Sequence, residues 1–190
     1  MPSIIVLDKL SPDGLALLDA AGRLGISYEV KTGLSGEELK NVLASHDGAI
    51  CRSGVKITAD VLAGNHRLRA IVRAGVGTDN IDKQAATRQG IVVMNTPAGN
   101  TVSTAEHAFT LLLALSRNVA PADASLREHR WDRSKYMGVQ LAGKTLGIVG
   151  MGRIGQAVAS RARAFDMRVV VYDPFLAAER AGGLGVVLCG

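Results

Sequence analysis

Gly147-Ile148-Val149-Gly150-Met151-Gly152-Arg153-Ile154-Gly155 is the stretch that decides the fold. An apolar strand pattern over 145–149 leads into it, and a helical pattern over 154–165 leads out. Gly150, Gly152 and Gly155 fall at the G-x-G-x-x-G positions, and each has a physical task. Gly150 permits a tight turn out of the strand, Gly152 lets a pyrophosphate approach bare backbone, and Gly155 lets the helix lie close on the strand. The helix N-terminus then offers unpaired N–H groups and partial positive charge to the phosphates, with Arg153 and Ile154 at the contact point. Asp173 lies 18 residues after Gly155, at the end of a second strand pattern over 168–172. A carboxylate there accepts hydrogen bonds from ribose hydroxyls and repels a 2′-phosphate. The reading is a dinucleotide site built from Gly150, Gly152, Arg153, Ile154, Gly155 and Asp173, selective for NAD over NADP.

Upstream, strand and helix patterns alternate. Strands are predicted over 4–7, 28–30, 48–51, 68–73 and 91–94. A helix from Pro12 to about residue 21 is capped by Ser11 and stopped by Gly22. Ser35 caps the next, with Glu37 and Glu38 in its first turn. A short helix follows over 58–63, and another over 81–89 ends at Gly90. Five strands separated by helices imply a parallel sheet, since each crossover returns the chain. Pro97 and Gly99 punctuate a break over 95–100, dividing the chain into a domain over 1–98 and a second over 99–190. A helix over 101–117 carries Ala105, Ala108, Phe109, Leu112, Leu113 and Leu115 around much of its circumference. That predicts burial on several sides, between domains or subunits. A helix over 121–129, an irregular segment over 131–143 and a third strand over 184–189, exposed as a new apolar sheet edge, complete the reading.

Composition excludes several function classes. The chain has 190 residues, 47% of them hydrophobic, and a net charge of +5 with only 4% aromatics. The basic residues are dispersed, so the surface suits small anions rather than nucleic acid. One cluster stands apart: Arg127, His129, Arg130, Arg133 and Lys135 near Trp131. No apolar run reaches membrane-spanning length and the start lacks signal-peptide features, so a cytoplasmic protein is expected. Cys51 and Cys189 form no disulfide framework, and Cys51 reads as a small core residue. His46 and His66 fall in polar turns, His107 on the long helix and His129 in the basic cluster. No metal-ligand spacing is present.

Two loops fall at strand C-terminal ends, where ligands bind in open parallel sheets. One spans 52–55 and the other 73–80. In the second, Gly75 and Gly77 are expected to expose backbone N–H groups as a nest for a carboxylate. Arg52 and Arg73 add charge-assisted bonds. Asn100 reads first as an N-cap and alternatively as a side chain facing a cleft.

Three stretches, LRAIVRAGVGTDNID over 68–82, GIVVMNTPAGNTVSTAE over 90–106 and the glycine loop, resemble the D-isomer-specific 2-hydroxyacid dehydrogenases. WDRSKYMG over 131–138 points within that family to the subgroup oxidising D-3-phosphoglycerate to 3-phosphohydroxypyruvate, at the entry to serine synthesis. The resemblance implies a flavodoxin-like parallel-sheet substrate domain, without its usual C-terminal return, followed by the first half of a Rossmann NAD-binding domain. It implies a small anionic 2-hydroxy or 2-oxo acid substrate, phosphorylated in this subgroup, and a homodimer joined through the cofactor domains. By resemblance, Arg52, Arg73, Gly75, Val76, Gly77 and Asn100 line the substrate pocket, Val76 also meets the nicotinamide side, and Arg133 or Lys135 reaches a phosphate across the dimer. The family's catalytic His, Glu and Arg are expected beyond Gly190, so little or no turnover is expected of this chain alone. Two other readings stay open: a glyoxylate or hydroxypyruvate reductase, and a non-catalytic NAD-binding or dimerising fragment.

Overall fold

Every strand pairing among the described residues of the computed structural model, 1–189, is parallel. This follows from a helix between successive strands, which carries the chain back to start each strand from the same end. Two units result, Met1–Gly99 and Asn100–Gly190.

The first unit runs β1 (Ser3–Val6), α1 (Pro12–Ala21), β2 (Ser27–Val30), α2 (Gly36–Ala44), β3 (Gly48–Cys51), α3 (Ala59–Leu62), β4 (Ala70–Arg73), α4 (Lys83–Arg88) and β5 (Val92–Asn95). The sheet order is β2-β1-β3-β4-β5, so the winding direction reverses between β1 and β3, the switch point where open α/β sheets hold ligands. The core is Ile5, Leu7, Leu39, Leu43, Cys51, Ile57, Leu62 and Ile71, all essentially inaccessible to water. Burial of this apolar surface drives the unit's folding.

The second unit runs α5 (Thr101–Ser116), α6 (Val119–Arg127), β6 (Thr145–Val149), α7 (Arg153–Ala164), β7 (Arg168–Tyr172), α8 (Ala178–Gly183) and β8 (Val187–Leu188). Its sheet order is β6-β7-β8. Val169, Val171, Ala159, Ala162, Phe109 and Met151 form its core. On α5, Phe109 tilts against Phe165 at the end of α7, with ring centroids 5.0 Å apart, and Glu106 pairs with Arg161 of α7 at 2.9 Å. Among the described residues no helix is long and apolar enough to cross a membrane.

Several local expectations are corrected. The hydroxyl of Ser11 does cap α1, accepting from the Gly14 N–H at 3.2 Å. α1 ends at Ala21 with Gly22 at its C-cap, as expected, and a 3-10 turn over Gly22–Leu24 follows, ended by Gly25 with φ 76°. Ser35 occupies the cap position of α2 without a side-chain bond. α4 is instead capped by Asp82, whose carboxylate accepts from Ala85 N–H at 2.8 Å. The third strand shrinks to Val187–Leu188 because the amides of Leu184, Gly185 and Val186 bond back to carbonyls of α8, at Arg180, Gly182 and Ala181. Within its own unit α5 is covered on one face. Only Ala105 and Phe109 are buried, while Leu111 and Leu115 stay exposed. His46 lies in the polar turn between α2 and β3, as expected, but is buried there, with Nδ1 2.7 Å from the Val42 carbonyl and Nε2 3.1 Å from Glu29.

At the amino ends of the strands, Asp47 ties three segments together. Its Oδ2 accepts from Ser3 N–H at 2.8 Å and from Arg67 Nη2 at 3.1 Å, and its Oδ1 from Arg67 Nε at 3.3 Å. The Arg67 guanidinium first, then the Ser3 amide, hold the Asp47 carboxyl well below the usual carboxylate range. A carboxyl depressed by folding stabilises the fold above its unfolded pKa, near ~3.9, and loses that contribution as pH falls below it. Asp47→Asn should therefore be less stable than the parent at pH 7, with the gap closing as pH drops below about 4. Urea unfolding at both pH values checks this; a gap independent of pH would refute the ion-pair account.

Candidate functional site

The glycine bend between β6 and α7 is formed by backbone geometry that the sequence dictates. Gly150 has φ 92°, in the left-handed region that side chains avoid. Its N–H donates to Tyr172 O at 2.8 Å, which ties the bend to the end of β7. A Cβ at Gly152 would meet nothing within 4 Å, so the face of the bend is open. A Cβ at Gly155 would run into the Gly150 carbonyl oxygen and touch Ile148 at 3.6 Å. Gln156 is the first residue of α7 whose N–H bonds back, to Gly152 O at 3.0 Å. The Ile154 and Gly155 amides before it have no protein partner among the described residues, as the first turn of any helix leaves them.

Asp173 is turned toward this bend. Its Oδ2 accepts from Met151 N–H at 2.6 Å and its Oδ1 from Phe175 N–H at 2.9 Å. Those two amides, Met151's first, hold its carboxyl below the ordinary range, so it is ionised at neutral pH. Each oxygen keeps a lone pair for a further donor.

The first unit's loops, by contrast, are organised by carbonyls. In the loop after β4, Gly75 O accepts from Thr96 N–H at 3.0 Å, Val76 O from Asn95 Nδ2 at 2.6 Å, and Gly77 O from the Arg73 guanidinium. A trans peptide points its C=O and N–H in opposite directions. Pinning three successive carbonyls therefore turns the N–H groups of Val76, Gly77 and Thr78 the other way, and none has a partner among the described residues. The expected nest is corrected on this point. Gly75 N–H is spent on Arg73 O at 2.8 Å, and neither Gly75 nor Gly77 has a positive φ. The unpaired amides are those of residues 76–78.

Arg73 lies mostly buried at the end of β4, its guanidinium on Gly77 O and 3.9 Å from Asp79. Its Nε is buried without a partner. Arg52 is exposed just after β3, the strand paired with β4. Its Nη1 lies 3.4 Å from Lys9 O. Cys51, beside them, is fully buried, and burial pushes its thiol up to about 11, so it stays protonated and inert at neutral pH. In the second unit Asn100 stands at the cap position of α5 without a side-chain cap bond.

The basic cluster divides. Arg127 pairs with Asp123 at 2.8 Å, Arg130 with Glu128 and Asp132, and Lys135 sits 5.4 Å over the Tyr136 ring. The Arg133 guanidinium pairs with no carboxylate among the described residues and lines, with Trp131 and Tyr136, a hollow of about 320 Å³. His107 and His129 are exposed.

Sequence reading missed Asp8, Asn80, Asn95 and Thr96, which hold the first unit's loops. Asn95 ends β5 and Thr96 follows it, and both read as simple punctuation. Asp8 carried a usable signal: it follows the first strand of a parallel sheet, the placement that singled out Asp173.

The family described as "D-isomer specific 2-hydroxyacid dehydrogenase, catalytic domain" matches residues 4–182. D-3-phosphoglycerate dehydrogenase of Archaeoglobus fulgidus is 46% identical over 97% of this chain and 34% of its own length. The chloroplastic D-3-phosphoglycerate dehydrogenase 2 of Arabidopsis thaliana is 48% identical over 98% of this chain and 30% of its own. The chain thus spans about a third of the length of these curated relatives. Among solved structures, the TT0316 protein of Thermus thermophilus superposes with TM-score 0.85 at 35% identity, covering 99% of this chain and 60% of that one. D-lactate dehydrogenase of Aquifex aeolicus, solved with NAD and lactic acid, superposes with TM-score 0.85 at 25% identity, covering 99% and 56%. This chain belongs to the D-isomer-specific 2-hydroxyacid dehydrogenase family.

The packing at Gly155 carries a direct expectation. Gly155→Ala should cost about 1–3 kcal/mol, because the new methyl meets backbone that cannot rotate away. Gly152→Ala, facing open space, should cost less than about 1 kcal/mol. Equal unfolding midpoints for the two variants would contradict this assignment of the glycines.

Proposed function

We propose that this chain supplies substrate and cofactor recognition for the NAD-dependent oxidation of D-3-phosphoglycerate to 3-phosphohydroxypyruvate. The observation that carries the reading is the open glycine bend with the ionised Asp173 closed onto Met151 N–H. Gly150, Gly152, Arg153, Ile154 and Gly155 receive the pyrophosphate, and Asp173 receives the adenosine ribose hydroxyls. A 2′-phosphate there would meet a like charge, which supports NAD over NADP. Bound NAD supplies the hydride acceptor.

In the first unit, the amides of Val76 and Gly77, with Gly75 setting the turn, take the substrate carboxylate, and Arg52 and Arg73 add positive charge. In the second unit Asn100 offers its carboxamide, and Arg133, whose guanidinium pairs with no carboxylate among the described residues, is the group for a phosphate. The phosphoglycerate subgroup is favoured over a glyoxylate or hydroxypyruvate reductase by the names of the curated relatives.

The second unit also supports a homodimer. α5 and the segments after it expose Leu111, Leu115 at 78%, Leu126, Trp131 and Met137 at 79%. A run of large apolar side chains of this kind marks an association surface.

Two experiments test these readings. NADH titrated into the chain, followed by energy transfer from Trp131, should show saturable binding. Asp173→Ala should weaken it at least about tenfold, the loss of a charge-assisted hydrogen bond, and narrow the difference from NADPH. No saturable NADH signal would refute the dinucleotide site, and binding without turnover would leave the chain a recognition fragment. In sedimentation, Leu115→Glu should shift the chain from dimer to monomer; a monomeric parent would refute the dimer.

A further inference from the structure

At the switch point of the first sheet, the loop over 52–55 after β3 is gripped from two sides by residues with no assigned role. Asp8 follows β1, and its Oδ2 accepts the Arg52 N–H at 2.5 Å. Asn80, from the loop after β4, donates Nδ2 to Arg52 O at 2.8 Å and to Val55 O at 2.8 Å. Arg52 therefore has its backbone N–H and C=O held by different strands' loops. Gly54 belongs to the same device, because a Cβ there would strike Asp8 Oδ1. The position is glycine for access, not for φ, since its φ is not positive. With Arg52 O turned to Asn80, the trans peptide directs Ser53 N–H the opposite way, and it has no partner among the described residues.

We propose that Asp8 is a positioning residue, acting through the backbone of Arg52 to present the Arg52 guanidinium to the anionic substrate. This rests on the reading of Arg52 as a substrate contact. Several features argue for more than packing. The bond crosses the topological reversal between β1 and β3, where ligands enter such sheets. The loop it holds is exposed at Arg52, Ser53 and Gly54 while Val55 behind it is buried. A long flexible side chain such as arginine gains precision chiefly from a fixed backbone.

The test uses the 190-residue chain, its amide exchange read by NMR and its affinity for D-3-phosphoglycerate by calorimetry. In Asp8→Ala, exchange at the Arg52 amide should accelerate at least about tenfold with the core amides unchanged, and affinity should fall about tenfold. Asp8→Asn keeps an acceptor and should restore both. Gly54→Ala, which pushes the Asp8 carboxylate aside, should reproduce Asp8→Ala. In an Arg52→Ala background, Asp8→Ala should cost little further affinity, because the two act as a unit. Unchanged Arg52 exchange in Asp8→Ala overturns the proposal whatever the affinity does. So does an affinity loss that simply adds to that of Arg52→Ala. Equal affinity of the parent and Arg52→Ala is a different result: it removes Arg52 from the substrate contacts, while the exchange data still judge the clamp.

Discussion

The hydrogen bond from Met151 N–H to Asp173 Oδ2 fixes the second unit's site. It joins the end of β7 to the bend after β6, beside the Gly150 to Tyr172 backbone bond. Without it, the glycine bend would be a flexible turn with three residues able to adopt many conformations. With it, the bend is fixed in the shape that leaves Gly152 open and the first amides of α7 unpaired. One carboxylate thus shapes the phosphate side of the site and faces the sugar side. The same interaction keeps Asp173 ionised, since protonation would weaken a bond accepted from an amide.

The first unit reaches a comparable result by different means. It has no left-handed glycine at Gly75 or Gly77 and no long helix opening behind the loop. Its amides are oriented indirectly, by side chains of β5's end that capture carbonyls. Asn95 and Thr96 matter because every captured C=O fixes the direction of the following N–H. This is a general way to build an anion-facing row of amides: the protein binds the acceptors and leaves the donors. The charge balance follows from it. Arg73 spends much of its hydrogen bonding internally on Gly77 O, so the loop's own dipoles, and not only the guanidinium, set the local potential.

How legible this was depended on the kind of signal. β3, β6 and β7 were read with their observed bounds because each is a short apolar run closed by Gly, Arg or Asp. The glycine loop was legible because three glycines at fixed spacing have one geometric solution. Helix ends were less so. Gly22 does end α1, yet a 3-10 turn then carries the chain on to Gly25, and nothing in the sequence pattern announces that turn. Ser35 has a capping side chain by type, but no bond forms. α8 was hidden because its Ala and Gly residues, AERAGG, carry no apolar stripe. α5's composition suggested burial all round, while its own unit covers only the face with Ala105 and Phe109. An apolar helix declares that it wants cover, but its sequence does not say which chain provides it.

The residues that sequence reading missed share a physical feature. Asp8, Asn80, Asn95 and Thr96 all act through long-range bonds to backbone, joining positions between 19 and 44 residues apart in the clearest cases. Periodicity and local spacing cannot reveal a partner that distant. Topology can narrow the search, because a parallel sheet brings the C-terminal ends of all its strands to one side. A polar residue just after any strand is therefore near the loops after the neighbouring strands. Applied to β1, this rule places Asp8 beside the loop after β3, its hydrogen-bonded neighbour. Asp8 thus stands to the first sheet as Asp173 does to the second: a carboxylate just beyond a strand that accepts a backbone N–H from the loop after the neighbouring strand.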